Sequence, residues 1–587
     1  MADWWQGAVV YQIYPRSYLD TNGDGSGDLD GIRHKLDYVA SLGVDAIWLS
    51  PIYPSPNKDF GYDVADYVSV DAAMGGMTAF EKLLDEAHGR GLKVILDQVL
   101  SHTSDQHAWF QESLLSKDNP KSDWYVWAEA REDGTPPNNW LAAFGGASWS
   151  WHPLRQQYYF HQFLRTQPKL NFHNPDVVDA VLDVLKFWLD KGVDGFRLDV
   201  ANSYVHDAAL GDNTPVPIDK RTPLSWSHPA RLQFHDHDWN QPENVAVMTR
   251  IRNVVDSYDD RLVFGEFAAG EKILGQYAGG NDRLHTAYTF TLLDAPTLER
   301  SVFDHYYSRI AGPVEDLFPC VTFSNHDVPR PVTRWAKGRD KKQTAKLGMA
   351  LLMCLRGTAL MYQGEELGLD DVDVLRDQIQ DPFGELYFPH FKGRDGCRSP
   401  MPWTADVAHA GFSTAKPWLP LGDAHPALSV NAQEADTESV LAFSRKSIAL
   451  RKAHPVLQTG DITLLETSDS VLAFTRSDGE KTMTCVFNFG DADAHIATNA
   501  ASDRKLSLGS AEAQGGRISV GPLGVFVGLN VDFLLPTSSI TSITSATQIT
   551  PRPVPQVEAT LACGPAAANM PRNAPTSRAL TKFCQAR

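Results

Sequence analysis

Short β-rich apolar runs alternate with amphipathic stretches through most of this chain. That rhythm commits a sequence to βαβ units and a parallel sheet. The runs are AVVYQIY (8–14), DAIWLSP (45–51), LKVILDQV (92–99), GFRLDV (195–200), RLVFGEF (261–267), CVTFSNHD (320–327) and TALMYQGEE (358–366), joined by a weaker one, LHTAYTFT (284–291). Between them lie helix-like segments such as TAFEKLLDEAHGRG (78–91), DVVDAVLDVLKFWLDKG (176–192) and KKQTAKLGMALLMCLRG (341–357). Eight such strands predict an α/β chain built on a (β/α)₈ TIM barrel. Polar residues gather where the strands end: Asp97, Asp199, Glu266, and His326 with Asp327. A barrel builds its active site at that rim, whereas a doubly wound sheet concentrates polar residues at one switch point. Four separate strand ends favour the barrel.

The rhythm breaks in four places. Residues 1–101 read as the first part of the barrel, and 102–171, rich in Trp, Asn and Gly, as a subdomain inserted after strand 3. The barrel resumes over 172–460, with a long connection at about 367–403. Short strands with Gly, Asp and Ser turns over 461–532 predict an all-β C-terminal domain. Residues 533–587 are rich in Ser, Thr, Pro and Ala and read as a disordered tail.

The balance of 72 acidic against 53 basic residues gives a formal charge of -19. Such an excess repels nucleic acid and anionic membrane and suits a neutral substrate. The six cysteines (Cys320, Cys354, Cys397, Cys485, Cys563 and Cys584) show no metal-like spacing and read as free thiols of a reducing compartment. The N-terminal residues lack the pattern of a signal peptide, and no apolar stretch is long enough to span a bilayer. A cytoplasmic enzyme is the expectation; the oligomeric state is not readable.

The segment DTNGDGSGDLDG (20–31) sets oxygen-bearing side chains at alternate positions: Asp20, Asn22, Asp24, Ser26 and Asp28. Hard oxygen donors at this spacing suit Ca²⁺, with Mg²⁺ the alternative. Gly31 stands where an EF-hand would place its bidentate Glu, so the expectation is a structural ion; the other reading is a solvated turn.

Asp199 stands two residues after Arg197, so both point into the barrel mouth. Arg197 is expected to lower the pKa of Asp199 and keep it ionised, as a nucleophile requires. Glu266 has Phe264 and Phe267 beside it, and partial desolvation together with a nearby carboxylate is expected to raise its pKa, as a general acid requires. Any one of these carboxylates alone reads better as a strand-end cap or surface ion pair. Together on one rim they are the apparatus of glycoside cleavage. His102 in DQVLSH, and His326 with Asp327 in SNHD, add hydrogen-bond partners for vicinal sugar hydroxyls; no zinc spacing accompanies them.

The segments GVDAIWLSP, DQVLSH, QPKLNFHNP, GFRLDVAN, FGEF, FSNHD and GTALMYQGEELG, in that order, resemble the α-amylase family of glycoside hydrolases, to about residue 530. WWQGAVVYQIYPRSYLDTNGDGSGDLDGI and GRDGCRSPMPW narrow the likeness to the α-glucosidase and oligo-1,6-glucosidase branch. The resemblance implies a barrel, an inserted domain and a C-terminal β-sandwich. It implies Asp199 as nucleophile, Glu266 as acid/base and Asp327 as transition-state stabiliser. It places Arg197, His102 and His326 around the glucose ring, Asp63 and Arg394 at the closed end, and Tyr62 and Phe144 along the wall. It also makes the 20–28 loop a structural Ca²⁺ site. Ser101, Lys169 and Val200 depart from common family residues or carry conflicting linkage signals, with a lean to α-1,4. The implied activity is that of a retaining, exo-acting α-glucosidase on small α-glucosides. A transglucosylase or sucrose isomerase would use the same residues. A non-catalytic relative is disfavoured by the intact Asp199, Glu266 and Asp327.

Overall fold

The computed structural model describes residues 3–221, 228–268, 270–310, 317–497 and 503–529. The tail expected at 533–587 lies outside the described residues. In chain order the first strands are β1 (Val9–Ile13), β2 (Ala46–Leu49) and β3 (Lys93–Gln98). Three short strands follow: β4 (Trp127–Ala128), β5 (Trp149–His152) and β6 (Gln157–Phe160). Then come β7 (Gly195–Leu198), β8 (Leu262–Phe267), β9 (Thr286–Thr289), β10 (Cys320–Thr322) and β11 (Thr358–Tyr362). All eight apolar runs became strands of one parallel sheet, ordered β10–β11–β1–β2–β3–β7–β8–β9. The two end strands have no ladder between them. Instead Thr286 Oγ1, on β9, donates to the Phe318 carbonyl just before β10 at 2.6 Å. The weak run, LHTAYTFT, is thus the strand at which the barrel closes least tightly.

Strand alternation sorts the residues into two layers. Val9, Tyr11 and Ile13, with Ile47, Leu49, Val94, Leu96, Phe196 and Leu198, pack outward against the helices. Val10, Ala46, Trp48, Ile95, Phe264, Tyr288, Cys320 and Leu360 fill the interior, with Trp5 among them. The inward row continues upward: Ile95 is followed by Asp97, Gly195 by Arg197, Phe264 by Glu266. The period of two that builds the core therefore also delivers the polar rim.

The helices cover the outer face. Pro175–Asp190 starts on Asn174, whose side chain accepts from Asp176 N, and has proline in its first turn. Its buried stripe runs through Val177, Val181, Leu185 and Trp188, spacings of four, four and three that keep one face on the sheet. The connection between β3 and β7 carries the antiparallel sheet β4–β6–β5 around Trp140, Trp149 and Phe160.

Beyond the barrel lie β12 (Asp461–Leu465), β13 (Val471–Ser477), β14 (Thr482–Asn488), β15 (Ala494–Ala497), β16 (Asp503–Leu508), β17 (Ala511–Gln514), β18 (Arg517–Val520) and β19 (Val525–Leu529). They form two antiparallel sheets, β12–β13–β14–β19–β16 and β15–β18–β17. Val471, Val486 and Phe526 of one pack with Ile518 and Val520 of the other, the core of a sandwich. Cys320, Cys354, Cys397 and Cys485 are buried free thiols. Among the described residues no helix is long and apolar enough to cross a membrane.

Candidate active site

The barrel mouth is organised by Arg197, which has no exposed surface. Its Nη1 lies 2.8 Å from Asp97 Oδ1 and 2.7 Å from Asp199 Oδ1, and its Nη2 lies 2.6 Å from Glu266 Oε2. Tyr288 closes the group: its hydroxyl donates to Glu266 Oε1 at 3.0 Å and accepts from Arg197 Nε and Nη2 at 3.3 and 3.2 Å. Below it, the Trp48 ring lies under the guanidinium at 5.2 Å, and the indole N–H donates to Asp97 at 3.3 Å. Three carboxylates therefore share one cation in a site sealed from beneath by aromatic rings.

This arrangement corrects one expectation. Arg197 does not hold Asp199 below the ordinary range. Burial pushes the Asp199 carboxyl well above it, against the pull of Arg197, with Glu266 and Asp97 adding repulsion. Burial likewise pushes Asp97 up to about 6 despite Arg197. Arg197 and Tyr288 both grip the carboxyl of Glu266. The backbone N–H of Val200 also faces Glu266 Oε2, at 3.4 Å.

A second group stands on the loops after β10 and β11. The His326 ring lies between Tyr62 (centroids 5.0 Å, 8°) and Tyr14 (5.5 Å, 14°). Gln12 Nε2 donates to His326 Nδ1 at 2.9 Å, which leaves the proton of the neutral ring on Nε2. Burial pushes this histidine down to about 3, so it stays neutral; its Nε2 lies 3.3 Å from Asp327 Oδ2 and makes no hydrogen bond among the described residues. Asp327 is bound by Arg394 Nη1 at 3.0 Å and Arg398 Nη2 at 2.9 Å. Burial alone would raise its pKa, but Arg394 and Arg398 draw it well below the usual carboxylate range.

Arg394 also reaches Asp59 at 2.8 Å and Asp381 at 2.7 Å, with its guanidinium 5.2 Å from the Phe144 ring. Asp63, expected beside Arg394, is elsewhere. Its carboxylate accepts from Ser55 Oγ (2.7 Å), Lys58 N (2.8 Å) and Asp59 N (3.1 Å), winding the 55–63 loop. That loop presents Asp59, and Asp59 rather than Asp63 meets Arg394. Tyr62 does face the site: its hydroxyl donates to Asp97 at 2.9 Å. His102 is engaged on both nitrogens, by the Tyr62 carbonyl at 2.9 Å and Ser101 Oγ at 2.7 Å. Asp97 was read as a rim residue without a role, and Asp59, Asp381, Arg398 and Tyr288 were not singled out. Asp97 and Arg398 lie in segments, LKVILDQV and GRDGCRSPMPW, that the sequence had already marked.

The 20–28 loop is wound by its own amides. Asp20 accepts from Asn22 N, Gly23 N, Gly25 N and Ser413 Oγ, at 3.1, 2.7, 2.8 and 2.5 Å. Asn22 accepts from Asp24 N, Asp24 from Ser26 N, and Asp28 from Thr21 and Gly31. The donors are oxygen only, the kind a hard cation takes. Among the described residues no group of three or more His, Cys, Asp or Glu is placed to hold a metal ion.

A parallel barrel whose mouth holds carboxylates gathered on one buried arginine, beside a neutral histidine, has the frame of a glycoside hydrolase. The family profile described as "Alpha amylase, catalytic domain" matches residues 12–460. The chain belongs to the α-amylase family. It is 48% identical over 499 residues to a probable α-glucosidase of Rhizobium meliloti, covering 84% of this chain and 90% of that protein. It is 35% identical to the oligo-1,6-glucosidase of Heyndrickxia coagulans, covering 88% and 97%. The crystal structure of the α-glucosyl transfer enzyme XgtA aligns with a TM-score of 0.87 at 46% identity, over 90% of this chain and 100% of that one. The trehalulose synthase MutB of Pseudomonas mesoacidophila aligns at 0.82 and 31%, over 91% and 100%.

Proposed function

We propose that the protein is a retaining, exo-acting α-glucosidase that removes terminal glucose from small α-glucosides, leaning to α-1,4 linkages. The observation that carries this reading is the single guanidinium of Arg197, which bridges Asp199 and Glu266 and keeps them close set. Retaining enzymes hold their two carboxyl groups about 5–5.5 Å apart; inverting enzymes need a wider gap for water. Asp199 attacks the anomeric carbon while Glu266 gives a proton to the departing glycosidic oxygen. A glucosyl ester on Asp199 results. Glu266 then takes a proton from water, which attacks the same carbon and frees Asp199. Asp327, ionised between its arginines, offsets the positive charge that develops on the ring. Arg394 with Asp59 walls off the pocket beyond one sugar and supports exo-action.

The glucosyl ester passes to any acceptor that reaches it, and the likeness to a glucosyl transfer enzyme favours transfer as the second reading. Incubation with maltose, isomaltose and sucrose, followed by identification of the products, tests the reading. Free glucose from maltose is expected; mid-length fragments from amylose at early times would defeat the closed pocket. The buried free thiols support a reducing, cytoplasmic setting.

The 20–28 loop is further proposed as the seat of a structural Ca²⁺, with Mg²⁺ as the alternative, on the strength of its all-oxygen donors. Chelation should then lower the Tm more than it lowers kcat. An unchanged Tm would leave the loop a turn wound by its own amides.

A further inference from the structure

Lys169 has no part in the chemistry above, yet its side chain is completely buried. Its Nζ donates to Gln162 Oε1 at 3.2 Å and to the carbonyl of Ser203, both neutral acceptors. Burial pushes the ammonium down to about 7, against the pull of Asp238 and Asp199. A methionine or leucine would fill this volume without that desolvation penalty, so the choice of a cation calls for a use.

The backbone of Lys169 is pinned from two sides. Its N–H donates to the Phe160 carbonyl at the end of β6 at 2.9 Å, and it bridges to His102 beyond β3. Its side chain then crosses to a third element, the turn that follows β7. In that turn Val200, the residue after Asp199, is held in the left-handed region (φ 41°, ψ 49°), an unusual place for a β-branched residue. The Val200 carbonyl accepts from Ser203 N at 3.0 Å and from Ser203 Oγ at 2.9 Å. Ser203 thus closes the strained turn on one side and is gripped by Lys169 on the other.

We propose that Lys169 is a positioning residue for the nucleophile: by holding the Ser203 carbonyl it fixes the left-handed turn at Val200 and keeps Asp199 against Arg197 and Glu266. This inference rests on the retaining reading of Asp199. Nothing in it requires Lys169 to touch substrate.

The test is Lys169→Met, Ser203→Ala and the double variant, assayed on nitrophenyl α-glucoside. Active sites are counted by a covalent glucosyl inactivator, so that misfolded protein does not enter kcat. Lys169→Met should lower kcat per titrated site by about 10–100-fold and shift KM by less than about threefold, since ring contacts remain. The double variant should lose less than the product of the two single losses, because both act on one turn. Unchanged kcat per titrated site, or losses that simply multiply, would overturn the proposal. If Lys169→Met does not fold, Lys169→Gln, which keeps N–H donors, must show the same split in milder form; an effect on KM alone would overturn the proposal too. A wild-type protein that cleaves no α-glucoside would remove the functional reading itself. An active wild type with a fully active Lys169→Met would remove this inference alone.

Discussion

Asp199→Asn is expected to abolish activity on every α-glucoside, by about 10⁴–10⁶-fold, whatever the leaving group. The amide cannot form the glucosyl ester, and among the described residues the neighbouring carboxylates are otherwise engaged: Asp97 lies beneath Arg197 and Asp327 is tied to two arginines. Glu266→Gln should behave differently. It should nearly stop cleavage of maltose but spare the first step for nitrophenyl α-glucoside, whose leaving group departs without a proton. The loss of Asp199 should not weaken the fold. Its carboxyl is raised well above its ordinary value, chiefly by burial. A carboxyl raised on folding destabilises the native state increasingly as pH climbs from the ordinary value to the raised one. At neutral pH the neutral asparagine should therefore keep or increase the Tm. Steady-state kinetics on the two substrates, with thermal melts, check all of this. Equal and small losses in the two variants would mean the site is misplaced.

Arg394→Ala is expected to damage both stability and turnover. The guanidinium is shared by Asp59, Asp327 and Asp381, and Asp381 has no exposed side-chain surface. Removing one partner from a buried ion-pair network costs about 3–5 kcal/mol, because the remaining charges stay uncompensated. KM should rise as the closed end of the pocket loosens. The kcat should fall with it, since Asp327 loses one of the cations that hold it ionised. Arg394→Lys should not restore activity, because a point charge cannot reach three carboxylates at once. Melting curves and Michaelis parameters on maltose decide this. A variant within about threefold of wild type in both would show that Arg394 makes only an incidental pair.

The features legible in the sequence are those governed by strand alternation. A period of two places Asp97, Arg197 and Glu266 on the same inward face as Ile95, Gly195 and Phe264, and the barrel obeys it. Even the weak run at 284–291 formed a strand, its Thr286 supplying the hydrogen bond at the closure. Loops follow no such period. In KDFGYD both Asp59 and Asp63 are plausible pocket residues, and only the fold shows that Asp63 spends its oxygens on Ser55 and two backbone amides while Asp59 meets Arg394. The sign of the Asp199 shift was also beyond local reading. Arg197 two residues away argues for a lowered pKa, but the desolvation and the two other carboxylates are tertiary facts. Asp381 and Arg398 arrive on the long connection after β11, where chain order gives no distance to the rim.

The central claim is that Asp199 and Glu266 act as nucleophile and acid/base of a double displacement. Proton NMR of the first minutes of maltose hydrolysis tests it directly, before the anomers of glucose equilibrate. Two inversions at one carbon must release α-glucose first, with the β-anomer growing in only by mutarotation. Initial release of β-glucose would contradict the account, because a single displacement by water needs no nucleophilic Asp199.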